Sequence, residues 1–179
     1  MPRWVAFLRA INVGGHVVKM DVLRGLFADL GFEEVETFIA SGNVIFQAAA
    51  QTPGGLEQTI ADRLRQTLGY DVATFIRTLS EVAAIAAHRP FPPRDLAGAA
   101  AFNVALLKEP LSKRNENVLV GLKTRVDDFR VNGSEVYWLC RAKQSESKFT
   151  NAVFERKTGV LATFRGMRTM ERLAAKYPV

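Results

Sequence analysis

Two short stretches of this chain hold residues whose types and spacing could do chemistry. The first is Arg9-Ala-Ile-Asn-Val-Gly-Gly-His16, followed by Lys19. Glycines leave backbone N–H groups open to a ligand because no Cβ stands in the way. Arg9 and Lys19 add positive charge, and Asn12 adds a side-chain amide. Next to a helix start, this is equipment for holding a phosphate or a carboxylate. The second stretch is Ser41-Gly-Asn43, small and polar in the same way. The glycine spacing is not that of a Walker A loop, so nucleoside triphosphate chemistry does not follow from it. Asp21 lies where it would cap the next helix, competing with an anion for the same N–H groups. The purely structural alternative stays open: tight-turn glycines, a capping Asp21 and an Arg9 held in a salt bridge.

A basic cluster is expected further on, where Arg141, Lys143, Lys148, Arg165 and Arg168 would gather at one end of a second unit. Lys148, Arg165 and Arg168 are its core candidates, against an ordinary solvated basic edge. Cys140 is the only cysteine, which excludes an internal disulfide and a cysteine-based zinc cluster. It ends an alternating strand and reads as a packed thiol rather than a nucleophile. His16 in the glycine loop could act as acid or base or be exposed without a role. His88 reads as a cation at a helix end. Asp127-Asp128 reads as a solvated turn, with a hard cation as the alternative. Trp4 and Trp138 read as core. No metal site is assigned, no catalytic set is identified, and the cofactor is unknown.

The elements that must position these groups are legible from periodicity. Val5-Ala-Phe-Leu8 is a strand; Leu23, Leu26, Phe27 and Leu30 repeat on one helical face, stopped by Gly31. Val35 to Ile39 and Val44 to Phe46 are strands joined by a turn. Leu56, Ile60, Leu64 and Leu68 mark a second helix stopped by Gly69, and Val72 to Ile76 is the last strand. The order is βαββαβ. It recurs: a strand over Phe102 to Leu107, then a helix capped by Ser112 and carrying Gly121. A hairpin follows at Asn132-Gly133 between Phe129–Val131 and Val136–Cys140, then a helix capped by Ser147 and stopped near Gly159. Val160 to Phe164 closes the unit.

In each such unit the loop after the first strand and the turn between the second and third lie at the same end. The loop carrying Arg9, Asn12, Gly14, Gly15 and Lys19 should therefore meet the turn carrying Ser41 and Asn43.

Self-similarity supports a duplication: Ala73-Thr-Phe-Ile-Arg77 resembles Ala162-Thr-Phe-Arg165, each following a helix-stopping glycine. The fold class is α+β: two tandem ferredoxin-like βαββαβ units with antiparallel sheets and helices on one face. Residues 1–88 form the first unit with a linker helix, 89–98 a proline-rich linker, and 99–179 the second unit with a C-terminal helix. Thr78 with Glu81 fits a capping box at the linker helix. Strands such as Trp4-Val-Ala-Phe-Leu8 are apolar on both faces, so the face without helices needs a second cover, from the other repeat or a second chain.

Composition is that of a globular protein, with 48% hydrophobic and 23% charged residues among 179. No apolar run reaches the ~20 residues a bilayer needs, and the opening residues lack a signal-peptide core. A cytoplasmic protein with no membrane partner is expected. The net charge of +6 is uneven: residues 1–78 carry 7 basic and 8 acidic side chains, and residues 79–179 carry 17 and 10. A basic second half suits an anionic partner.

Leu8-Arg-Ala-Ile-Asn-Val-Gly-Gly15 with Lys19-Met20, and Ser41-Gly-Asn-Val-Ile-Phe46, resemble the opening of bacterial domain-of-unknown-function family 1697. Ala162-Thr-Phe-Arg165 with Arg168-Thr169 is similar to that family's C-terminal signature, which has Asn-Trp where this chain has Gly166-Met167. The resemblance implies tandem ferredoxin-like domains and brings no known activity, substrate or cofactor. The residues themselves point to a protein binding a small anionic or nucleotide-like ligand at the glycine loop, and leave enzymatic activity open. The alternatives are an RNA-binding module, for which Ser41-Gly-Asn-Val-Ile-Phe-Gln47 lacks the required basic-glycine-aromatic pattern, and a dimerisation or scaffolding module. Weak, non-specific nucleic-acid binding and a homodimer are the further expected partners.

Overall fold

The computed structural model describes residues 1–12, 15–39 and 42–179. The elements run β1 (Arg3–Leu8), α1 (Met20–Asp29), β2 (Glu33–Thr37), β3 (Asn43–Gln47), α2 (Pro53–Leu68), β4 (Thr74–Thr78), α3 (Leu79–Ala87) and α4 (Pro93–Ala97). They continue with β5 (Ala101–Leu106), α5 (Lys113–Leu122), β6 (Asp127–Asn132), β7 (Glu135–Cys140), α6 (Asn151–Thr158), β8 (Thr163–Gly166) and α7 (Met167–Lys176). The strands form two four-stranded antiparallel sheets, ordered β2-β3-β1-β4 and β6-β7-β5-β8. Both are the ferredoxin-like order. The chain divides into two compact units, Met1–Ala83 with Leu173–Val179, and Ala84–Arg172.

Local chemistry explains the boundaries. Thr52 caps α2 by accepting the N–H of Gly55 at 3.1 Å, Pro53 fills the first turn, and Gly69 ends the helix at φ 82°. Ser112 caps α5 in the same way. Thr78 and Glu81 form the reciprocal box at the start of α3: Thr78 N–H donates to Glu81 at 2.7 Å, and Glu81 N–H donates to Thr78 Oγ1 at 3.1 Å. The cap of α6 is Thr150, not Ser147, whose hydroxyl is engaged with Asp127 instead. The β6–β7 turn sits on Gly133-Ser134, one residue later than the Asn-Gly dipeptide suggests, because Asn132 still pairs with Glu135. β2 begins two residues earlier than its apolar run. It is a sheet edge with exposed glutamates, and its register shifts between Glu33 and Glu36, where Glu34 adopts φ 47°.

In the first unit Trp4, Ala6, Leu8, Val44, Phe46 and Ile76 meet α1 and α2 through Leu23, Phe27, Leu56, Ile60 and Leu64. In the second, Ala105, Val136, Trp138 and Cys140 meet Leu119 and Phe154. The sheet residues that alternate with these are buried as well: Val5, Phe7, Ile45 and Phe75 in one unit, and Val104, Leu106, Tyr137 and Leu139 in the other.

Three edge strands have an outward carbonyl capped by the next residue's arginine. Arg77 donates to Ile76 O at 2.9 Å, Arg130 to Phe129 O at 2.8 Å and Arg165 to Phe164 O at 2.9 Å. The outward N–H groups at two of these positions are taken by carboxylates, Glu57 for Ile76 at 3.1 Å and Asp128 for Phe129 at 2.8 Å. Edges closed in this way resist pairing with another chain. Among the described residues no helix is long and apolar enough to cross a membrane.

Candidate functional site

The end of β1 is the centre of the site. Leu8 N–H donates to Gly42 O at 2.8 Å, and Arg9 N–H donates to Ala73 O at 2.9 Å. The loop after β1, the β2–β3 turn and the lead into β4 therefore meet at one end of the first unit. Gly42 adopts φ +82°, and a Cβ there would stand 3.1 Å from Leu8 Cβ and 3.2 Å from Ile11 Cγ2. Only glycine permits this approach.

Asn12 accepts the N–H of Val18 on its Oδ1 at 2.8 Å, which brings the loop's exit back beside its start. Arg9 is half-buried at the strand end, and Asn12, Gly15 and Lys19 are exposed along the rim that follows it. Gly14 and Ser41 lie outside the described residues. Asn43 is fully buried beneath this rim: its Nδ2 donates to Phe38 O at 2.9 Å, and its carbonyl accepts the Phe38 N–H at 2.9 Å. Its side chain closes the turn from below.

Lys19 is itself the residue capping α1, and its side chain makes no cap hydrogen bond among the described residues. Asp21 does not occupy that position; it pairs with Arg24, whose Nη1 also reaches Thr37 Oγ1 at 2.9 Å. The first N–H groups of α1 are open to an acceptor.

Periodicity gave no reason to place Tyr70 here. Its hydroxyl donates to Ile11 O at 2.6 Å, and its ring stacks on His16 at 4.3 Å. Two non-glycine residues in these loops, Ala10 at φ 52° and the β-branched Ile39 at φ 59°, hold the left-handed conformation. Strain of this kind clusters at functional sites.

Arg165 stands apart from the other residues expected in the second basic cluster. Phe164 faces the helices, so Arg165, the next residue on β8, faces the opposite side of the sheet. Arg165 is buried there, donates to Thr163 Oγ1 at 2.7 Å, and is pushed down by burial to about 10. Lys148 lies on the helix side, beside a cavity it lines with Phe149, Val153 and Arg156. Arg168 is exposed on α7. Strand alternation turns Arg165 away from Lys148, with which topology grouped it at one end of the unit.

Asp127 and Asp128 also depart from expectation. They begin β6 and are buried. Asp127 accepts from Trp138 Nε1 at 2.8 Å, and Ser147 Oγ lies 2.9 and 2.8 Å from its two oxygens. Asp128 pairs with Arg130 at 2.9 Å and Lys123 at 3.5 Å. Cys140, directly across from Asp127, is buried with its thiol donating to Ala142 O at 3.0 Å. Burial pushes its pKa up, and the neighbouring Asp127 carboxylate pushes in the same direction. His88 follows α3 and packs its ring on Tyr137 at 4.8 Å.

The two sheets and their strand order define a two-unit ferredoxin-like protein. A family model described as protein of unknown function (DUF1697) matches residues 1–137. The chain belongs to that family. A solved structure of the conserved bacterial protein SP0830 from Streptococcus pneumoniae superposes with a TM-score of 0.73 over 97% of each chain, at 21% identity, and shows the same fold. No curated protein matches.

Proposed function

We propose that this chain binds a small anionic, nucleotide-like ligand at the end of β1 through Arg9, Asn12, Gly15 and Lys19, above Asn43, with Gly14 and Ser41 in the same stretches of sequence. The observation that carries this reading is the start of α1. A lysine stands at its cap, no side-chain cap bond is made there among the described residues, and the Asn12–Val18 bond draws the chain back beside it. A phosphate or carboxylate gains there from the helix dipole, from Lys19 and from the adjacent Arg9. Asn43 contributes by holding the turn from beneath. His16, stacked on Tyr70, offers the same rim an imidazole.

Binding of bases on an open sheet is less well supported, because the aromatic residues on the faces away from the helices, Phe7, Phe75 and Tyr137, are buried.

The test is calorimetric titration with pyrophosphate, a nucleoside monophosphate and a dicarboxylate. Lys19→Ala should weaken the binding of whichever anion is held by about tenfold while leaving the melting temperature nearly unchanged. Loss of stability with anion binding intact would overturn the reading.

A further inference from the structure

The geometry points to a second, separate site, in Ala84–Arg172: a pocket for a planar nitrogen heterocycle of nucleobase size. A cavity of about 410 Å³ opens there, within the size range of small-molecule pockets. Its walls are the rings of Trp138, Phe149 and Phe164; Gln144, Thr150 and Asn151 supply polar groups around them.

The walls are preorganised. Trp138 meets Phe149 at 4.9 Å and 68°, and Phe164 at 5.9 Å and 84°. Phe149 and Phe164 also meet, at 6.0 Å, so the three rings hold one another in place. The indole is further fixed by its N–H bond to Asp127 at 2.8 Å.

The polar groups are specific. Asn151 Nδ2 donates to Ala162 O at 2.9 Å, which settles which end of the amide is the oxygen. That oxygen, Oδ1, is buried and has no hydrogen-bond partner among the described residues. Buried side-chain acceptors are ordinarily paired. Asn151 lines the cavity, so this unpaired acceptor lies in its wall. Gln144 uses its Oε1 to accept from Asn103 Nδ2 at 3.4 Å, and its NH₂ brings donors to the same rim.

Aromatic walls with an acceptor and a donor at the edge match a ring that presents an N–H beside a ring nitrogen or carbonyl. A hydrocarbon would use the walls and leave Asn151 unsatisfied. A sugar would satisfy Asn151 and gain little from the rings. This site is independent of the rim on the first unit, and neither reading depends on the other.

The test is nuclear magnetic resonance of the ¹⁵N-labelled full chain, in which Trp4 and Trp138 give two indole signals and Trp138→Phe assigns them. The probes are adenine, cytosine and nicotinamide, with toluene and ribose as comparators. At least one heterocycle should shift the Trp138 signal saturably and leave Trp4 in place. Asn151→Ala should weaken that binding by about tenfold, and Gln144→Ala, an exposed substitution that leaves the fold intact, by severalfold. The proposal fails if no heterocycle shifts Trp138 saturably at millimolar concentration. It fails equally if toluene binds as well as the heterocycles, or if both variants bind like the parent chain.

Discussion

Gly42 accepts the N–H of Leu8 at 2.8 Å and approaches it so closely that an added Cβ would stand 3.1 Å from Leu8 Cβ. This contact ties the β2–β3 turn to the end of β1. Gly42→Ala should cost about 2–4 kcal/mol, combining a left-handed backbone with a steric clash. Gly25, exposed in α1 with nothing near its Cβ position, gives the control. Gly25→Ala should stabilise by roughly 0.5–1 kcal/mol. Urea denaturation of the two variants measures both; equal effects would remove the packing argument.

Asp127 organises the second unit as Gly42 organises the first. Its carboxylate receives Trp138 Nε1 and the Ser147 hydroxyl, and Ser147 Oγ in turn accepts the Phe149 N–H at 3.0 Å. Asp127→Ala leaves a buried indole N–H and a hydroxyl without their acceptor, at a cost of about 2–4 kcal/mol. Ser147→Ala should cost about 1–2 kcal/mol, since Trp138 keeps its partner. Denaturant unfolding followed by tryptophan fluorescence orders the two; a larger effect from Ser147 would reverse their assigned roles.

The strand and helix order was legible because apolar residues recur with the periods of the two structures. Leu23, Leu26 and Phe27 are all buried on α1, and Leu56, Ile60 and Leu64 on α2. The meeting of the glycine loop with the β2–β3 turn followed from topology alone. What escaped were contacts set by strand alternation and by side chains distant in sequence. Arg165 was grouped with Lys148 because topology brings their segments to one end of the unit, yet its position on β8 turns it to the other face. Asp127 and Asp128 read as a turn because carboxylates rarely sit in a core. Trp138 and Arg130, 11 and 2 residues away along the chain, are what allow it. Tyr70 reaches Ile11 across 59 residues, a distance at which periodicity carries no information.

Glu57 shows how an edge strand is closed from a helix. It is buried on α2, and its Oε1 accepts the N–H of Ile76 at 3.1 Å. Glu57→Leu keeps the helix and the volume but leaves that N–H without an acceptor, which should cost about 1–3 kcal/mol or more. Glu57→Gln retains an oxygen at the same reach and should recover most of the loss. Hydrogen exchange at Ile76 reads the bond directly: protection should fall in the leucine variant and persist in the glutamine one. Equal protection in both would show that the sheet, and not Glu57, shields this amide.

Cys140 is fully buried, and burial together with Asp127 raises its thiol pKa. An unfolded cysteine titrates near about 8.5, so on raising the pH the unfolded chain releases this proton first. The contribution of the protonated thiol to stability is therefore fully present below that value and is lost as the pH climbs toward the higher folded-state value. Stability of the parent chain should fall more steeply between about pH 8 and 10 than that of Cys140→Ala, measured by urea titration at each pH. The same burial predicts that a thiol reagent labels Cys140 in the native protein at the rate of opening and labels the denatured chain at once. Rapid native labelling at neutral pH, with identical pH profiles for the two proteins, would mean that the thiol is neither shielded nor perturbed.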